Sequence, residues 1–448
     1  MKTPRYWVLI CLFSGVILQA IMIGAQPVTK IAAGGSHSLF LKSDGSLWGM
    51  GDNSSGELGD GTYDSTNQPK QILANNVTAI VAEQSCSLFL KGDGSRWAMG
   101  INNYGMFGDG QFDNTVNPPE KIISSNVTVI AAGAFHSLFL NSDGSLWGMG
   151  ANGSGQLGNG IQNYTNLPVE IVASNVTAIA AGYAHSLLLK SDGSLWGVGA
   201  NESGQLGDGT FNNTNLPQET VVSNVTAIAA GYSHSLFLKS DGSLWAMGAN
   251  ESGQLGDGTT NNINVPEQIV ASNVTAISAG AFHSLFLKSD GSLWGMGENR
   301  GGELGDGTYN NTNRPEQIVA NGVTAIATGA FAFHSLFIKH DGSLWAMGWN
   351  YYGQLGDGTY NSTNLPELVV AGPPGFNQIA AQLLSGGNVS LSFVGTAGTN
   401  YVLERSFSLS PANWLPLVTN PAGPGGVLLL TNTPNKATNN FWRIRSVP

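Results

Sequence analysis

Cysteine is nearly absent from this chain: Cys11 and Cys86 are the two present in 448 residues. Cys11 sits in an N-terminal apolar run, so a chain that loses that run keeps Cys86 alone and can form no internal disulfide. The framework must then be held by burial. Charge is scarce too, at 10% of residues, and the basic sign is the scarcer: 18 Lys and Arg stand against 29 Asp and Glu, a net charge of −11. No basic cluster occurs. A surface of this sign repels phosphate backbones and anionic lipid, which argues against nucleic acid as a partner and against electrostatic adhesion to a membrane. Catalytic signatures are missing as well. There is no nucleophile elbow, no His-Glu-x-x-His pair and no phosphate-cradling loop ahead of a helix. The expectation is a non-enzymatic protein without a cofactor; carboxylates converging from distant segments on a glycan substrate are the enzymatic alternative.

Glycine and repetition are what the chain has in quantity. Tryptophan recurs at Trp48, Trp97, Trp147, Trp196, Trp245, Trp294 and Trp345, each inside the same sentence of sequence. A unit of about fifty residues has been copied seven times, which marks a solenoid, a propeller or an array. Low charge with abundant glycine suits short strands and tight turns.

Residues 225–273 serve as the reference copy. Residues 225–230 alternate and read as a first strand, residues 234–239 as a second, residues 244–248 as a third and residues 266–270 as a fourth. The Asp241-Gly242 pair between the second and third strands signals a two-residue type I′ hairpin. That turn pairs Ser240 with Ser243, Leu238 with Trp245 and Leu236 with Met247. His234, Leu236, Leu238, Trp245 and Met247 then share one face. Both faces carry apolar residues, as a sheet sandwiched between neighbours requires. Nothing resembles a capping repeat, so a closed ring is favoured over an open solenoid. The expected fold is all-β: a seven-bladed β-propeller over residues 28–371, a Pro/Gly linker at 372–376 and a small β-sandwich at 377–448. If a blade takes its fourth strand from one copy and the others from the next, residues 28–31 and 366–370 meet and latch the ring. The sequence leaves that phase open.

Ahead of the repeats, Lys2 and Arg5 precede an apolar run at residues 6–23, and Gly24-Ala25 offers small residues at a cut. This reads as a signal peptide over residues 1–25, sending the chain to the bacterial envelope or exterior. Left uncleaved, the same run would be an anchor.

Three segments carry a family likeness: Ala-Ala-Gly-x-x-His-Ser-Leu-x-Leu at 131–140 and 180–189, Asp-Gly-Ser-Leu-Trp-x-x-Gly, and Gly-Gln-Leu-Gly-Asp-Gly-Thr at 204–210 and 253–259. They resemble the repeats of the regulator of chromosome condensation family across about residues 28–371. The resemblance implies a seven-bladed propeller. It also implies one of two activities: nucleotide exchange on a small GTPase through a wedge projecting from one blade, or inhibition of a secreted enzyme such as a β-lactamase, gripped by aromatic loops. Evenly spaced copies without a wedge-sized insertion, a signal segment and an acidic surface favour the second mode.

Repeat-borne histidines (His37, His136, His185, His234, His283, His334, with Cys86 in the second copy) invite a metal reading, but their place among strand residues points to structural hydrogen bonds. The Gly-Asp-Gly loops with Asp60, Asp109, Asp208, Asp257, Asp306 and Asp357 lack the alternating ligand pattern of a calcium loop and read as turns. No metal is expected. Variable aromatics instead mark the site. Phe331, Phe333, Trp349, Tyr351 and Tyr352 centre it, joined on the same face by Tyr104, Phe135, Tyr183, Tyr232 and Phe282. Aromatic loops of this kind are the usual composition of a binding hot spot, and a protein or glycan partner of a monomeric chain is the expectation. The alternative is that these rings plug the disc or pack on the C-terminal segment. The second copy departs furthest, with Glu83-Gln84-Ser85-Cys86 for Gly-x-x-His, Arg96 for Leu and Met106-Phe107 for Gln-Leu; drift and a second specificity patch both remain open.

Overall fold

The computed structural model describes residues 26–112 and 114–373, and beyond them the segments 379–383, 389–395, 400–406, 415–421, 427–432 and 441–447. The expected signal segment at 1–25 lies outside these residues, as do residues 374–376 of the expected linker. Each copy folds into its own four-stranded antiparallel sheet with the strands in chain order. The first is built from Val28–Ala33, His37–Lys42, Leu47–Gly51 and Thr66–Leu73. Blades 1 to 7 thus occupy residues 28–73, 77–123, 127–172, 176–221, 225–270, 274–319 and 323–370. This fixes the open phase: no sheet mixes the two chain ends. The ring closes by the same contacts that join any two blades. Asn67 Nδ2 of blade 1 donates to the Gly358 carbonyl of blade 7 at 2.8 Å, as Asn264 does to Gly209 at 2.9 Å and Asn313 to Gly258 at 2.9 Å.

The hairpin differs from the expected type I′ turn. In blade 5 Leu236 faces Ala246, Phe237 faces Trp245 and Leu238 faces Leu244, one residue away from the expected register. Lys239 N–H donates to the Ser243 carbonyl, and Gly242 sits at φ 76° and donates to Lys239 O. The loop is therefore the three-residue kind, a turn followed by a left-handed glycine. Side chains hold it: Asp241 Oδ1 accepts from Ser243 N at 2.9 Å and Ser243 Oγ at 2.6 Å, and Trp245 Nε1 donates to Ser243 Oγ at 2.8 Å. A slip of one residue moves every side chain of a strand to the other face. Trp245 accordingly stacks on Phe237 at 6.0 Å rather than sharing a face with Leu238, and Lys239 Nζ lies 4.1 Å from the indole centre.

The core lies between blades. Phe237 and Met247 of blade 5 pack against Leu187, Leu189 and Leu195 of blade 4, all of them buried. Burying such a side chain contributes about 1.5–3 kcal/mol, and the arrangement recurs around the disc.

A polar relay runs through the same interfaces. His185 Nε2 donates to Ser235 Oγ of the next blade at 3.0 Å, and Ser235 Oγ donates to the Gln205 carbonyl at 2.7 Å. Each serine has one proton to give and the carbonyl takes it, so the ring carries its own proton on Nε2. The pattern repeats from His37, His136, His234 and His283, and from His334 back to Ser38 of blade 1 at 2.7 Å. This use of Nε2 gives the histidines their structural role. Blade 2 carries Cys86 instead, and there Arg96 supplies the missing donor: its guanidinium reaches Ser137 Oγ of blade 3 at 2.9 Å and the Phe107 carbonyl at 2.7 Å. Cys86 and Arg96 of the second copy are thus one compensated exchange in the framework.

Beyond the propeller lie two three-stranded antiparallel sheets. One holds Ile379–Leu383, Val389–Val394 and Val427–Asn432; the other holds Leu415–Pro421, Asn400–Ser406 and Phe441–Val447.

Burial holds the relay histidines neutral, pulling His37 and His136 from 6.5 to about 4 and His185, His234, His283 and His334 to about 3. The unfolded chain takes up protons below 6.5 that the folded chain refuses, so this stability is complete above 6.5 and lost as pH falls, at about 1.4 kcal/mol per histidine per pH unit. Burial raises Glu57 and Glu303 to about 7, so their contribution runs oppositely and fades between 4.5 and 7. Burial also raises Glu83 and Glu298, whose contributions fade in the same sense as pH rises; six histidines outweigh these four carboxyls. The melting temperature of the full chain should peak near pH 6.5 and drop steeply toward pH 4; a flat calorimetric profile over that range would contradict the relay's protonation state.

Candidate aromatic binding face

The inner loop, between the first and second strands, and the long loop, between the third and fourth, emerge on one face of the disc. A buried asparagine organises every long loop. In blade 7 Asn350 Oδ1 accepts from Leu355 N at 3.0 Å, while its Nδ2 donates to Asp357 Oδ1 at 3.1 Å and to the carbonyls of Thr359 and Asn361. Asn53, Asn102, Asn152, Asn201, Asn250 and Asn299 do the same work in the other copies and are fully buried. The loop aspartates serve as turn caps: Asp257 Oδ1 accepts from Asn250 Nδ2 at 3.0 Å and Thr259 N at 2.8 Å. Asp60 also pairs with Lys70; burial pushes its carboxyl up, and the hydrogen bonds from Lys70 and Thr62 outweigh that and bring it to about 2. No group of three or more His, Cys, Asp or Glu among the described residues is arranged to hold a metal.

On these anchored loops the aromatic residues form one continuous chain. Tyr164 meets Tyr104 at 5.2 Å, Tyr104 meets Phe135 at 5.2 Å, and Phe135 meets Tyr183 at 5.7 Å. Tyr183 stacks on Tyr232 at 4.3 Å, Tyr232 meets Phe282 at 5.3 Å, and Phe282 meets Phe333 at 5.9 Å. Phe333 then touches Trp349 at 5.5 Å and Trp349 touches Tyr351 at 5.1 Å. The two extra residues of the seventh copy give Phe331 its reach: it crosses the disc to Tyr183 and Tyr232, at 5.9 and 5.6 Å. Nine of the ten residues picked out in the sequence belong to this chain. Tyr352 makes no ring contact with it but lines a cavity beside it.

The chain divides by exposure. Phe135, Tyr183, Tyr232, Phe282, Phe331 and Phe333 are half-buried and cover the middle of the disc. Both ends are exposed: Trp349, Tyr351 and Tyr352 at 37%, 65% and 48% on blade 7, and Tyr104 and Tyr164 at 38% and 49% at the far end. The middle of the layer is thus a plug and its two ends face solvent. Next to the blade 7 end lies a cavity of about 500 Å³. Blade 7 lines it with Phe331, Phe333, Trp349, Tyr351, Tyr352 and Gln354; blades 1 and 2 line it with Gly35, Ser36, Asp52, Gln84 and Ser85. It opens where blades 1 and 2 carry Gly34-Gly35-Ser36 and Glu83-Gln84-Ser85 in place of an aromatic inner loop. Glu83 is buried, its carboxyl is pushed well above the usual range by burial, and its Oε2 has no partner.

Sequence reasoning missed three things here. Tyr164 extends the chain at its far end. Gly301 of blade 6 seats Trp349: a Cβ on Gly301 would lie 1.6 Å from the indole Cδ1. Copies 3, 4 and 5 place Ser154, Ser203 and Ser252 at that position. The third is Asp52, the one acid in the lining of the cavity. Comparison of the copies with one another held all three signals, but their meaning depends on which blades adjoin.

Known proteins give the architecture a context. The RCC1-like domain matches residues 126–402, and the regulator of chromosome condensation (RCC1) repeat matches residues 28–57 and 44–90. Yeast RCC1 (Prp20), solved with Kap60 bound, is similar at 20% identity and a TM-score of 0.65, over 82% of this chain and 91% of that one. Prp20p from Saccharomyces cerevisiae, in a study of its binding to Gsp1p and histones, gives 21% and 0.64 over 77% and 86%. Human WBSCR16 gives 23% and 0.61 over 68% and 85%. At these identities the likeness is one of fold. A curated relative, the X-linked retinitis pigmentosa GTPase regulator homolog of Caenorhabditis elegans, is 59% identical over 32 residues, which is 7% of this chain and 2% of the relative's length.

Gly301→Ala should unseat the indole, because overpacking of this kind costs about 1–3 kcal/mol. The expected readout is a red-shifted Trp349 emission and a lower melting temperature, both abolished in a Trp349→Ala background. An equal effect in both backgrounds would show that the glycine is needed for backbone reasons alone.

Proposed function

The chain belongs to the RCC1-like domain family, and from that premise we propose a non-enzymatic binding propeller that captures a protein partner on its aromatic face. The observation that carries the reading is the blade 7 end of the aromatic layer, where the exposed Trp349, Tyr351 and Tyr352 border the cavity of about 500 Å³. Exposed aromatic side chains held on a rigid support lose little conformational entropy on contact and concentrate binding energy. The support here is rigid because the relay and the buried asparagines fix every loop base. The yeast relative, reported to bind Gsp1p and histones and solved with Kap60 bound, favours a protein as the partner class. The charged segment and apolar run at residues 1–25 support an exported location, where a propeller of this kind would meet envelope or extracellular proteins. Within that setting, inhibition of a secreted enzyme is the form of capture the aromatic face suits.

The test is affinity capture by the full chain from an envelope and culture-medium extract, run in parallel with the Trp349→Ala/Tyr352→Ala double variant. Neither side chain belongs to the buried contacts between blades, so the fold should survive, with a melting temperature lowered only by the loss of the indole's contacts to Gly301, Phe333 and Tyr351. Capture should fall at least tenfold, since central aromatic residues of an interface are worth about 2 kcal/mol or more each. Undiminished capture by a folded double variant would refute the aromatic face as the binding surface.

A further inference from the structure

Internal repetition supplies a reference at each position, because blades 3, 4 and 5 agree where the others do not. At the residue opening the long loop, Ala151, Ala200 and Ala249 give way to Asp52 in blade 1, Glu298 in blade 6 and Trp349 in blade 7. At the position capping the loop turn, Gln156, Gln205 and Gln254 give way to Glu57 and Glu303. At the inner glycine, Gly133, Gly182 and Gly231 give way to Glu83. Every one of these changes to an acid falls in blades 6, 1 and 2, the sector around blade 7. The aromatic insertion and the pair Tyr351-Tyr352 fall in blade 7 itself. Of these acids Asp52 lines the cavity, where it meets the aromatic departures of blade 7.

The charge of the lining is one-sided, with Asp52 its one ionisable carboxyl and no cationic side chain. Asp52 and Gln84 offer acceptors, five aromatic rings offer π faces, and no Lys, Arg or His is among the lining residues. The Gln84 Oε1 atom is buried and has no hydrogen-bond donor, and neither has Glu83 Oε2 behind it. Asp52 is held by Ser54 N at 3.0 Å and Ser65 Oγ at 3.1 Å, both neutral donors. The salt bridge found among the described residues, Lys70 with Asp60, lies on the loop of blade 1 away from the lining. Arg300 lies beside Glu298 on blade 6 and does not line the cavity. A cavity with π faces on one wall and unneutralised acceptors on the other is complementary to a cation that donates hydrogen bonds. The net charge of −11 adds long-range attraction for such a group.

We propose that this cavity receives the guanidinium or ammonium head of an arginine or lysine side chain presented by the protein partner. The inference rests on the binding-face reading and names the chemistry that the face selects. The aromatic wall holds the planar or tetrahedral cation and the stem behind it, while Asp52 and Gln84 take its N–H groups.

The probes are an acetylated, amidated Gly-Gly-Arg-Gly-Gly peptide and its lysine, norleucine and glutamate counterparts, titrated to millimolar concentration into the full chain. The signal is Trp349 emission, isolated by difference from a Trp349→Phe variant. The arginine and lysine peptides should bind, weaken as salt is raised, and weaken about tenfold in Asp52→Asn, the loss expected for a charge-assisted hydrogen bond. Tyr351→Leu, at a site too exposed to threaten the fold, keeps apolar area but removes a π face and should also weaken them severalfold. Equal binding of the norleucine peptide, or no loss in both variants, would overturn the proposal, as would no response to any peptide. Partner capture separates the two readings. If Asp52→Asn captures normally while Trp349→Ala/Tyr352→Ala does not, the face stands and the cation falls; if both capture normally, the face itself falls.

Discussion

The hydrogen bond from a buried histidine to the serine of the next blade is the constraint from which the rest of the molecule follows. With no disulfide to lock the ring, each blade must fix its own rotation against its neighbour. Apolar packing alone tolerates sliding, because its attraction depends on area and hardly on direction. The His–Ser–carbonyl relay is directional and fully buried, so a slipped blade would strand a ring nitrogen, a hydroxyl and a carbonyl without water. Closure depends on the same bond, since His334 reaches Ser38 as each histidine reaches the serine that follows it. Blade 2 shows how strictly the relay is kept: where Cys86 removes the ring, Arg96 brings a donor to Ser137 by another route.

A framework held this way frees the loop positions that it does not use. Asn350 and its six counterparts anchor the base of each long loop, and the residues between the anchors can vary without disturbing the disc. The variation is not spread evenly. Blades 3 to 5 stay close to one pattern and contribute half-buried rings to the central layer. Blades 6, 7, 1 and 2 depart from it together, in acids, in glycine for serine at Gly301, and in a two-residue insertion. Trp349 on Gly301 is the clearest mutual adjustment, because each residue makes sense only in the presence of the other.

Much of this was legible in the sequence. The spacing of Trp48 and its counterparts delivers the number of blades, and strand alternation places the inner and long loops on one face, so the ten aromatic residues come out together. Two kinds of information were not available there. An Asp-Gly pair fits a two-residue or a three-residue hairpin, and only the φ of Gly242 and the Lys239–Ser243 pairing decide between them. The choice shifts register by one, which is why Trp245 lies against Phe237 and not beside Leu238. Contacts between blades are the other kind. The roles of Arg96, Gly301 and Glu83 depend on residues roughly fifty positions away in the adjoining copy or, around the closure, at the opposite end of the ring. A single repeat read by itself carries no trace of them.

The central claim is that the partner sits on the aromatic face over blades 7, 1 and 2 of a disc that does not itself rearrange. Amide hydrogen exchange, followed by mass spectrometry on the full chain with and without its captured partner, addresses this directly. The account predicts slowed exchange confined to residues 34–36, 84–85, 329–333 and 349–354, with the strands of all seven blades unchanged. Slowing confined to the Ser-Asp-Gly-Ser turns on the opposite face, or spread through the strands, would contradict it.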